Sequence, residues 1–269
     1  MTRLARFVGP ARRVAPEALA EWLYQRYFIG WSGGPGPDDL AGDPLFVAEL
    51  ARACEGAVCV EGGFVAVPGR QRGGRFVARD GVTVLAPSAR KWRDGTLAIA
   101  LPCARPSALP GFFSVVSRAG RLGARERHLK FYVNATPAGA VGLLGRALSD
   151  PSMRRARFEA KCANDPRSFG RRDTVLFYVA FDSVAVVRRW LARQPPRWFR
   201  AESPPLTKRL FRGVSVAQSP LTSESYGAHR TRLIAEGLRT SFLERRGWAE
   251  CVAERFEREG LEWGLSGSA

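Results

Sequence analysis

Polar and apolar residues alternate from residue 128 to residue 134, with the two-residue period of a β-strand. Four side chains that can bind anions or move protons share one face of this predicted strand: His128, Lys130, Tyr132 and Asn134. The residues between them are apolar, so the other face can pack on a core. A strand would hold the polar groups more rigidly than a loop. The same pattern also fits an edge strand whose polar face is merely solvated.

The chain carries a large excess of positive charge. Its 269 residues include 42 Lys and Arg against 25 Asp and Glu, a formal net charge of +17, and nearly all the basic residues are arginine. The planar guanidinium fork suits phosphates and carboxylates. The charge therefore indicates an anionic partner, which is nucleic acid, a phosphorylated substrate or an acidic peptide. Nucleic acid fits least, because the basic residues are dispersed without interleaved aromatic residues or a known binding module.

Several kinds of catalytic site are excluded by motifs that the sequence lacks. Its five cysteines form no CxxC pair and only two histidines are present, so no zinc site or disulfide framework is indicated. Neither a P-loop (GxxxxGK) nor a GxSxG elbow occurs. A site of Lys, Arg, Tyr and His remains, which suits phosphate chemistry without a metal or cofactor. Lys and Arg can bind the oxyanion, and a Lys crowded by cations has a lowered pKa and can act as a base.

The sequence contains no recognisable targeting or membrane segment. Residues 1–6 are basic but lack the apolar run of a signal peptide. No apolar stretch approaches the roughly 20 residues of a membrane span. We expect a reduced, soluble, cytoplasmic protein that does not act at a membrane.

The segments that must position the polar strand alternate between helical and strand patterns. Apolar residues at helical spacing predict helices at about 16–28, 44–54, 137–148, 183–192, 223–246 and 248–260. Two-residue periodicity predicts strands at about 63–67, 96–101, 112–117, 128–134 and 158–162, and a hairpin at 76–85 around Asp80-Gly81. Together these patterns predict an α+β fold with helices packed on one mixed sheet.

Three further segments bear on the organisation of the chain. Residues 174–181 are apolar on both faces, which predicts a central strand covered on both sides and places Tyr178 in the core. Prolines predict a linker at 102–110 and a loop at 204–220. We expect an N-terminal helix and hairpin region, 1–105, and a catalytic region, 106–269, either as two units or as one continuous globule.

Short motifs in a fixed order along the chain resemble the HopA-type effector family. They lie at 130–134 (KFYVN), 158–161 (FEAK), 171–178 (RRDTVLFY), 205–208 (PLTK), 213–214 (GV) and 225–230 (SYGAHR). The segment from Leu23 to Tyr27 also looks like the N-terminal region of that family. The similarity spans most of the chain, and the order of the motifs is more specific than any single one.

The HopA-type family is similar in its core to the phosphothreonine lyases of the OspF/SpvC type, and to the stand-alone lyases of split lanthipeptide and thioamitide biosynthesis. The resemblance implies a phosphothreonine-lyase-like α+β core and a metal-free phosphoserine/phosphothreonine lyase. Such an enzyme eliminates phosphate from a precursor peptide that a separate Ser/Thr kinase has phosphorylated, and it leaves dehydroalanine or dehydrobutyrine. The implied partners are that peptide, the kinase, and a cyclase or other tailoring enzyme.

The resemblance also implies a role for individual residues. Lys130 matches the phosphate-binding lysine of a Lys-Phe-His strand, and Lys161 matches the base that takes the α-proton. It implies phosphate contacts for Arg171, Arg172 and Arg230. For Lys208 it implies a contact with phosphate or with the peptide. No cofactor is implied.

Tyr132 departs from the family pattern, because it stands where the lyases have a general-acid histidine. A phenol with an ordinary pKa near 10 is a weaker proton donor than imidazolium. Either Tyr132 is the acid, or cationic stabilisation of the leaving phosphate suffices, or His128 or His229 has taken the role. Because of this departure, an alternative remains: the protein is a non-catalytic, effector-like member of the same fold that binds a peptide or protein.

Overall fold

The computed structural model describes residues 14–31, 33, 41–92, 94–123, 126–218 and 224–262, which form six α-helices and two β-sheets. The helices are α1 (Pro16–Leu23), α2 (Pro44–Ala53), α3 (Pro137–Ser149), α4 (Val184–Ala192), α5 (Tyr226–Glu244) and α6 (Trp248–Arg258). The first six strands are β1 (Val58–Gln71), β2 (Gly74–Arg79), β3 (Val82–Ala86), β4 (Arg90–Lys91), β5 (Leu97–Pro102) and β6 (Ala104–Leu109). The others are β7 (Phe112–Val116), β8 (His128–Val133), β9 (Phe158–Ala163), β10 (Val175–Ala180), β11 (Lys208–Phe211) and β12 (Val214–Gln218). This architecture confirms the predicted α+β class.

Capping side chains determine where two of the helices begin. The Asp43 carboxylate accepts a hydrogen bond from the Phe46 amide at the start of α2 (2.8 Å). The Thr136 hydroxyl accepts one from the Gly139 amide at the start of α3 (3.0 Å). Each bond satisfies an amide that has no partner within the helix. A proline follows each cap, at the position where a missing N–H costs nothing.

The larger sheet contains seven strands in the order β11-β12-β8-β10-β9-β7-β6, with β10 at its centre as its apolar sequence predicted. Strands β8 and β9 run parallel to each other, joined by α3, but β10 inserts between them. All pairings of the described strands are therefore antiparallel, where a mixed sheet was expected. Because β8 lies between β12 and β10, the interpretation of residues 128–134 as an edge strand is wrong.

One face of this sheet packs on the main apolar core. The strands contribute large buried side chains such as Phe131 and Phe177, and α2, α3 and α4 cover them with residues such as Leu50, Leu143 and Trp190. The Trp190 and Phe177 rings meet edge to face, with centroids 6.1 Å apart. Burial of this apolar surface is the main force that holds the central strands in register.

The opposite face is covered by the N-terminal segment and α5. Helix α1 packs against α5 and α6 through Leu19, Leu23, Leu233 and other apolar residues. It continues into a π-helical turn, Tyr24–Phe28, where the predicted α-helix runs through residue 28. π-Helical turns are rare and often lie at functional sites. This one places Tyr24 and Phe28 over the polar side chains of β8.

The smaller sheet has the order β3-β2-β1-β5-β4 and is built largely from hairpins. The predicted turn at Asp80-Gly81 is confirmed, because both residues have positive φ (52° and 78°), as a type I′ turn requires. Glu61 is buried in this sheet and forms ion pairs with Arg79 (2.5 Å) and Arg105 (2.8 Å).

Two segments that prolines marked as irregular are strands instead. The predicted linker at 102–110 contains β6, and the predicted loop at 204–220 contains β11 and β12. Pro106 lies in β6, at an edge of the larger sheet, where a proline N–H is not needed for pairing. Pro204 and Pro205 precede β11 and so do not interrupt it. The segment Pro102–Leu109 therefore continues from one sheet into the other.

Gly227→Ala should destabilise the protein by about 1–3 kcal/mol. An added Cβ would lie 2.4 Å from Phe28 Cε1 and 2.8 Å from Tyr24 Cε2, so the aromatic rings of the π-helical turn must move. Urea unfolding measures the change, with Gly170→Ala as the control because nothing lies within 4 Å of its added Cβ. A gain of about 1 kcal/mol, as helix propensity alone predicts, would contradict this packing.

Candidate functional site

The strand register gathers the polar side chains on one face of the larger sheet, which we call the lysine face. Residues directly opposite each other in antiparallel strands share a face. One row across the sheet contains Ser215, Tyr132, Leu176, Lys161 and Ser114, and the next contains Ala217, Lys130, Tyr178, Glu159 and Val116. Both lysines and two tyrosines thus lie within two adjacent rows of this face, on the three neighbouring strands β8, β10 and β9.

Lys130 is buried at the centre of the lysine face, with 8% of its surface exposed. Its ammonium nitrogen lies 5.3 Å from the centre of the Tyr178 ring. Burial, together with the charge of Lys161, lowers the pKa of Lys130 to about 8. No carboxylate in the described ranges forms an ion pair with this ammonium group.

Lys161, on β9, lies near the ion pair between Arg171 and Asp173. Burial lowers its pKa, while the nearby Asp173 carboxylate opposes the shift and the Arg171 guanidinium adds to it. Asp173 accepts two hydrogen bonds from Arg171, from Nε at 2.8 Å and Nη2 at 2.9 Å. The ring of Phe112 lies 4.4 Å from Lys161 Nζ and 5.7 Å from Arg171 Cζ, so the two cations share one aromatic wall.

Four tyrosines pack together with Phe28 on the lysine face, and the sequence interpretation singled out only Tyr132. Tyr132 is buried against Phe28, with ring centroids 5.8 Å apart, and burial raises its pKa well above the ordinary value. Tyr178 is half-buried, and burial raises its pKa to about 12. Tyr24 extends from the π-helical turn, and burial together with Asp173 raises its pKa. Tyr226, from α5, closes the cluster by donating a hydrogen bond to the Leu206 carbonyl.

His128 occupies the edge of the lysine face. Its ring meets that of Tyr178 edge to face at 5.6 Å, and its Nδ1 lies 3.0 Å from the Glu126 carbonyl. The Tyr178 ring thus contacts both this imidazole and the ammonium group of Lys130. His229, the other histidine weighed as an acid, lies on α5 with its Nε2 3.9 Å from Glu259 and outside this cluster.

The structure does not bring three of the predicted phosphate contacts to the lysines. Arg172 donates to the Tyr27 carbonyl (2.9 Å) and to Glu202 (2.6 Å), and so joins the N-terminal segment to the sheet. Arg230 stacks between the rings of Tyr226 and Phe256. Lys208 is exposed on β11 opposite Val216, in the row of Phe131 and therefore on the other sheet face.

Sequence reasoning missed other residues of the lysine face because their strands give no periodic signal. Tyr178 was predicted to be core, since β10 is apolar on both faces and parity cannot be read from it. Its pairing with Lys130 places Tyr178 on the lysine face. Arg209, next to Lys208, pairs with Ser215 and so falls in the row of Tyr132.

A comparison of sequence families matches the HopA1 effector protein family over residues 103–264, more than half of the 269-residue chain. The chain belongs to the HopA1 effector protein family. In this HopA1 family member, Lys130, Tyr132, Lys161 and Arg171 lie within the matched region, whereas Tyr24 lies outside it. A comparison with curated proteins gives no match.

Two solved structures resemble this HopA1 family member. The effector protein from Pseudomonas syringae pv. tomato strain DC3000 has a TM-score of 0.56 and 11% sequence identity, covering 97% of this chain and 93% of that chain. The effector protein from Pseudomonas syringae pv. syringae strain 61 has a TM-score of 0.46 and 11% identity, covering 96% and 95%. At this identity the first comparison shows a shared fold. In the described residues no helix is long and apolar enough to cross a membrane.

Lys130→Met should stabilise the protein by about 1–3 kcal/mol at pH 7, because a buried charge is removed at similar volume. The pKa of Lys130 is about 8 in the folded chain and about 10.4 when unfolded. Its penalty is therefore constant below about pH 8 and vanishes as the pH rises towards roughly 10.5.

Urea unfolding near neutral pH and again near pH 10 measures this difference. Lys91→Met, on the exposed strand β4, is the matched control. A stabilisation that is the same at both pH values, or none at all, would contradict a buried amine of lowered pKa.

Proposed function

We propose that this protein is a phosphoserine/phosphothreonine lyase that acts on a kinase-phosphorylated peptide. The observation that carries the proposal is a pair of lysines on one sheet face, both with lowered pKa. Neither is in an ion pair within the part of the chain that the structure describes. A phosphate dianion would compensate the buried charge of Lys130, and a lysine that loses its proton readily, Lys161, is the base that elimination needs.

The proposed reaction assigns a different task to each cation. Neutral Lys161 takes the α-proton of the phosphorylated residue. The electrons of that C–H bond form the Cα=Cβ double bond, and the Cβ–O bond breaks with its electrons leaving on phosphate. Lys130 and Arg171 stabilise the charge that develops on the departing oxygens. Phosphoserine gives dehydroalanine and phosphothreonine gives dehydrobutyrine, with no change of redox state and therefore no redox cofactor.

Burial assists this assignment in two ways. A low-polarity environment favours the neutral form of Lys161, as the reaction requires. It also strengthens the attraction between the phosphate and the remaining cations. Asp173 holds the Arg171 guanidinium through two hydrogen bonds, so this cation is positioned before the substrate arrives.

The proton donor for the leaving phosphate is Tyr132 or His128 in this proposal. Tyr132 lies in the row of Lys161, but burial raises the pKa of its phenol, which makes it a weak acid. His128 and Lys130 both contact the Tyr178 ring, so the imidazole lies on the same face at its edge. Lys130 and Arg171 can also neutralise the leaving group without a donor.

The chemistry places the enzyme between two other activities. Its substrate must come from a Ser/Thr peptide kinase, and dehydroamino acids are electrophiles that a cyclase or other tailoring enzyme can use. We therefore place the reaction in lanthipeptide or thioamitide biosynthesis on a ribosomal precursor peptide. We assign it to the cytoplasm, where ATP supplies the kinase.

A second candidate is a non-catalytic member of the fold that binds a phosphorylated peptide or protein. The enclosure of Tyr132 by Phe28 and Tyr226 favours it, because no imidazole stands beside the lysines in this position. In this case the same cations would bind phosphate without a proton transfer.

Incubation with a phosphoserine peptide, including a leader-bearing precursor phosphorylated by its kinase, should release phosphate and leave dehydroalanine. Lys161→Ala should slow the reaction by about 100- to 10,000-fold, as expected for loss of a general base. Mass spectrometry of the peptide measures both. Lys91→Ala, on the smaller sheet, is the control. Phosphopeptide binding with no elimination by the unaltered protein would support the non-catalytic candidate instead.

Tyr132→Phe and His128→Gln separate the possible donors. Loss of the true general acid should lower the elimination rate by about 100-fold or more, while phosphopeptide affinity stays unchanged. The other variant should retain its rate. If both variants keep the full rate, the cations alone stabilise the leaving group, and neither residue is the acid.

A further inference from the structure

A groove of about 270 Å³ lies between α1 and α5, beside the lysine face. Its floor is made by small or aromatic side chains, among them Ala20, Ala228, Thr231 and Tyr24. The rim carries four glutamates and one arginine: Glu17, Glu21, Glu224, Glu236 and Arg232. A floor of this kind with a charged rim suits a ligand that has both an aliphatic stem and a charged end.

The charges on the rim are not balanced. Arg232 pairs with Glu224 (3.2 Å) and with Glu236 (2.8 Å), and Glu236 pairs with Arg255 as well, so the charges of these two glutamates are compensated. Glu17 and Glu21 lie on the same side of α1, four residues apart, a spacing at which like charges repel. Glu21 accepts a hydrogen bond from the neutral Gln25 amide (2.6 Å), and neither carboxylate forms an ion pair with a described residue. The groove is thus acidic in a chain whose net charge is +17.

Tyr24 connects this groove with the lysine face. Its ring lines the groove and stacks on Phe28 at 5.8 Å, and Phe28 in turn contacts Tyr132. The rings of Tyr24, Phe28 and Tyr132 therefore connect the groove with the row of Lys161. An extended peptide spans about 3.3–3.6 Å per residue. A residue within about four positions of one held at the lysine face can reach the groove.

We propose that this groove binds an Arg or Lys side chain of the peptide substrate, close in sequence to the phosphorylated residue. The inference rests on the proposed function and adds the class of substrate: a phosphopeptide with a nearby basic residue. The aliphatic stem lies on Ala20, Ala228 and the Tyr24 ring, and the cationic end meets Glu17 and Glu21. The two acidic side chains then select against peptides whose flanking residues are acidic.

Short fluorescent peptides test this by anisotropy. Their central residue is a phosphoserine analogue with methylene in place of the bridging oxygen, so that phosphate cannot be eliminated. Arg is placed at each flanking position in turn, and citrulline, its neutral isostere, replaces it in the paired peptide. We expect Arg to bind about three- to tenfold more tightly than citrulline at one or two positions at low salt. Glu17→Gln/Glu21→Gln should remove the preference, and Glu49→Gln, on the exposed side of α2, should keep it.

Unphosphorylated versions of the same peptides distinguish this inference from the proposed function. If binding depends on phosphate but shows no Arg preference, the groove assignment is wrong and the proposed function stands. The same conclusion follows if the Arg preference persists in the double variant. If the protein prefers Arg, loses this preference in the double variant, and binds phosphorylated and unphosphorylated peptides equally, the groove assignment stands and the proposed function is overturned. No difference among the peptides overturns both. The Arg and citrulline comparison on the unaltered protein needs no variant, so a folding defect cannot hide the result.

Discussion

The antiparallel register of β8, β10 and β9 is the constraint on which the site depends. A shift of one residue in either pairing would turn Lys130 or Lys161 into the apolar core. The opposite face prevents such a shift, because Phe131, Phe177 and Phe158 interlock under α3 and α4. The apolar core thus holds two ammonium groups in a position that costs free energy. One face of these strands therefore stabilises the fold, and the opposite face presents the charged lysines.

Local sequence signals were sufficient for most of the fold. The caps at Asp43 and Thr136, the Asp80-Gly81 turn and the apolar run of β10 each follow from short-range chemistry and are present in the structure. The strand order could not be predicted, because the insertion of β10 between β8 and β9 is a long-range choice. Pro106 misled because it lies in β6, an edge strand that tolerates a residue unable to donate a hydrogen bond.

The candidate site was only partly predictable for the same reason. Strand parity and the family resemblance indicated Lys130, Tyr132 and Lys161, and the structure places these on one face. Arginines on irregular segments had no parity to read. Arg171 turns towards Lys161, whereas its neighbour Arg172 turns towards the N-terminal segment. Tyr24 arrives from about a hundred residues away in sequence, through a π-helical turn that no local pattern predicts.

The proposed chemistry requires that lysines of lowered pKa exist in the folded protein and respond to phosphate. The chain has only four lysines, so reductive methylation with ¹³C gives four lysine NMR probes, besides that of the N-terminal amine, which also titrates near pH 8 but is kept in Lys130→Arg. Titration of their methyl resonances tests the claim directly. We predict one resonance with a pKa near 8 that disappears in Lys130→Arg and moves to higher pH when inorganic phosphate is added. Four resonances that all titrate together near pH 10, with or without phosphate, would contradict the account.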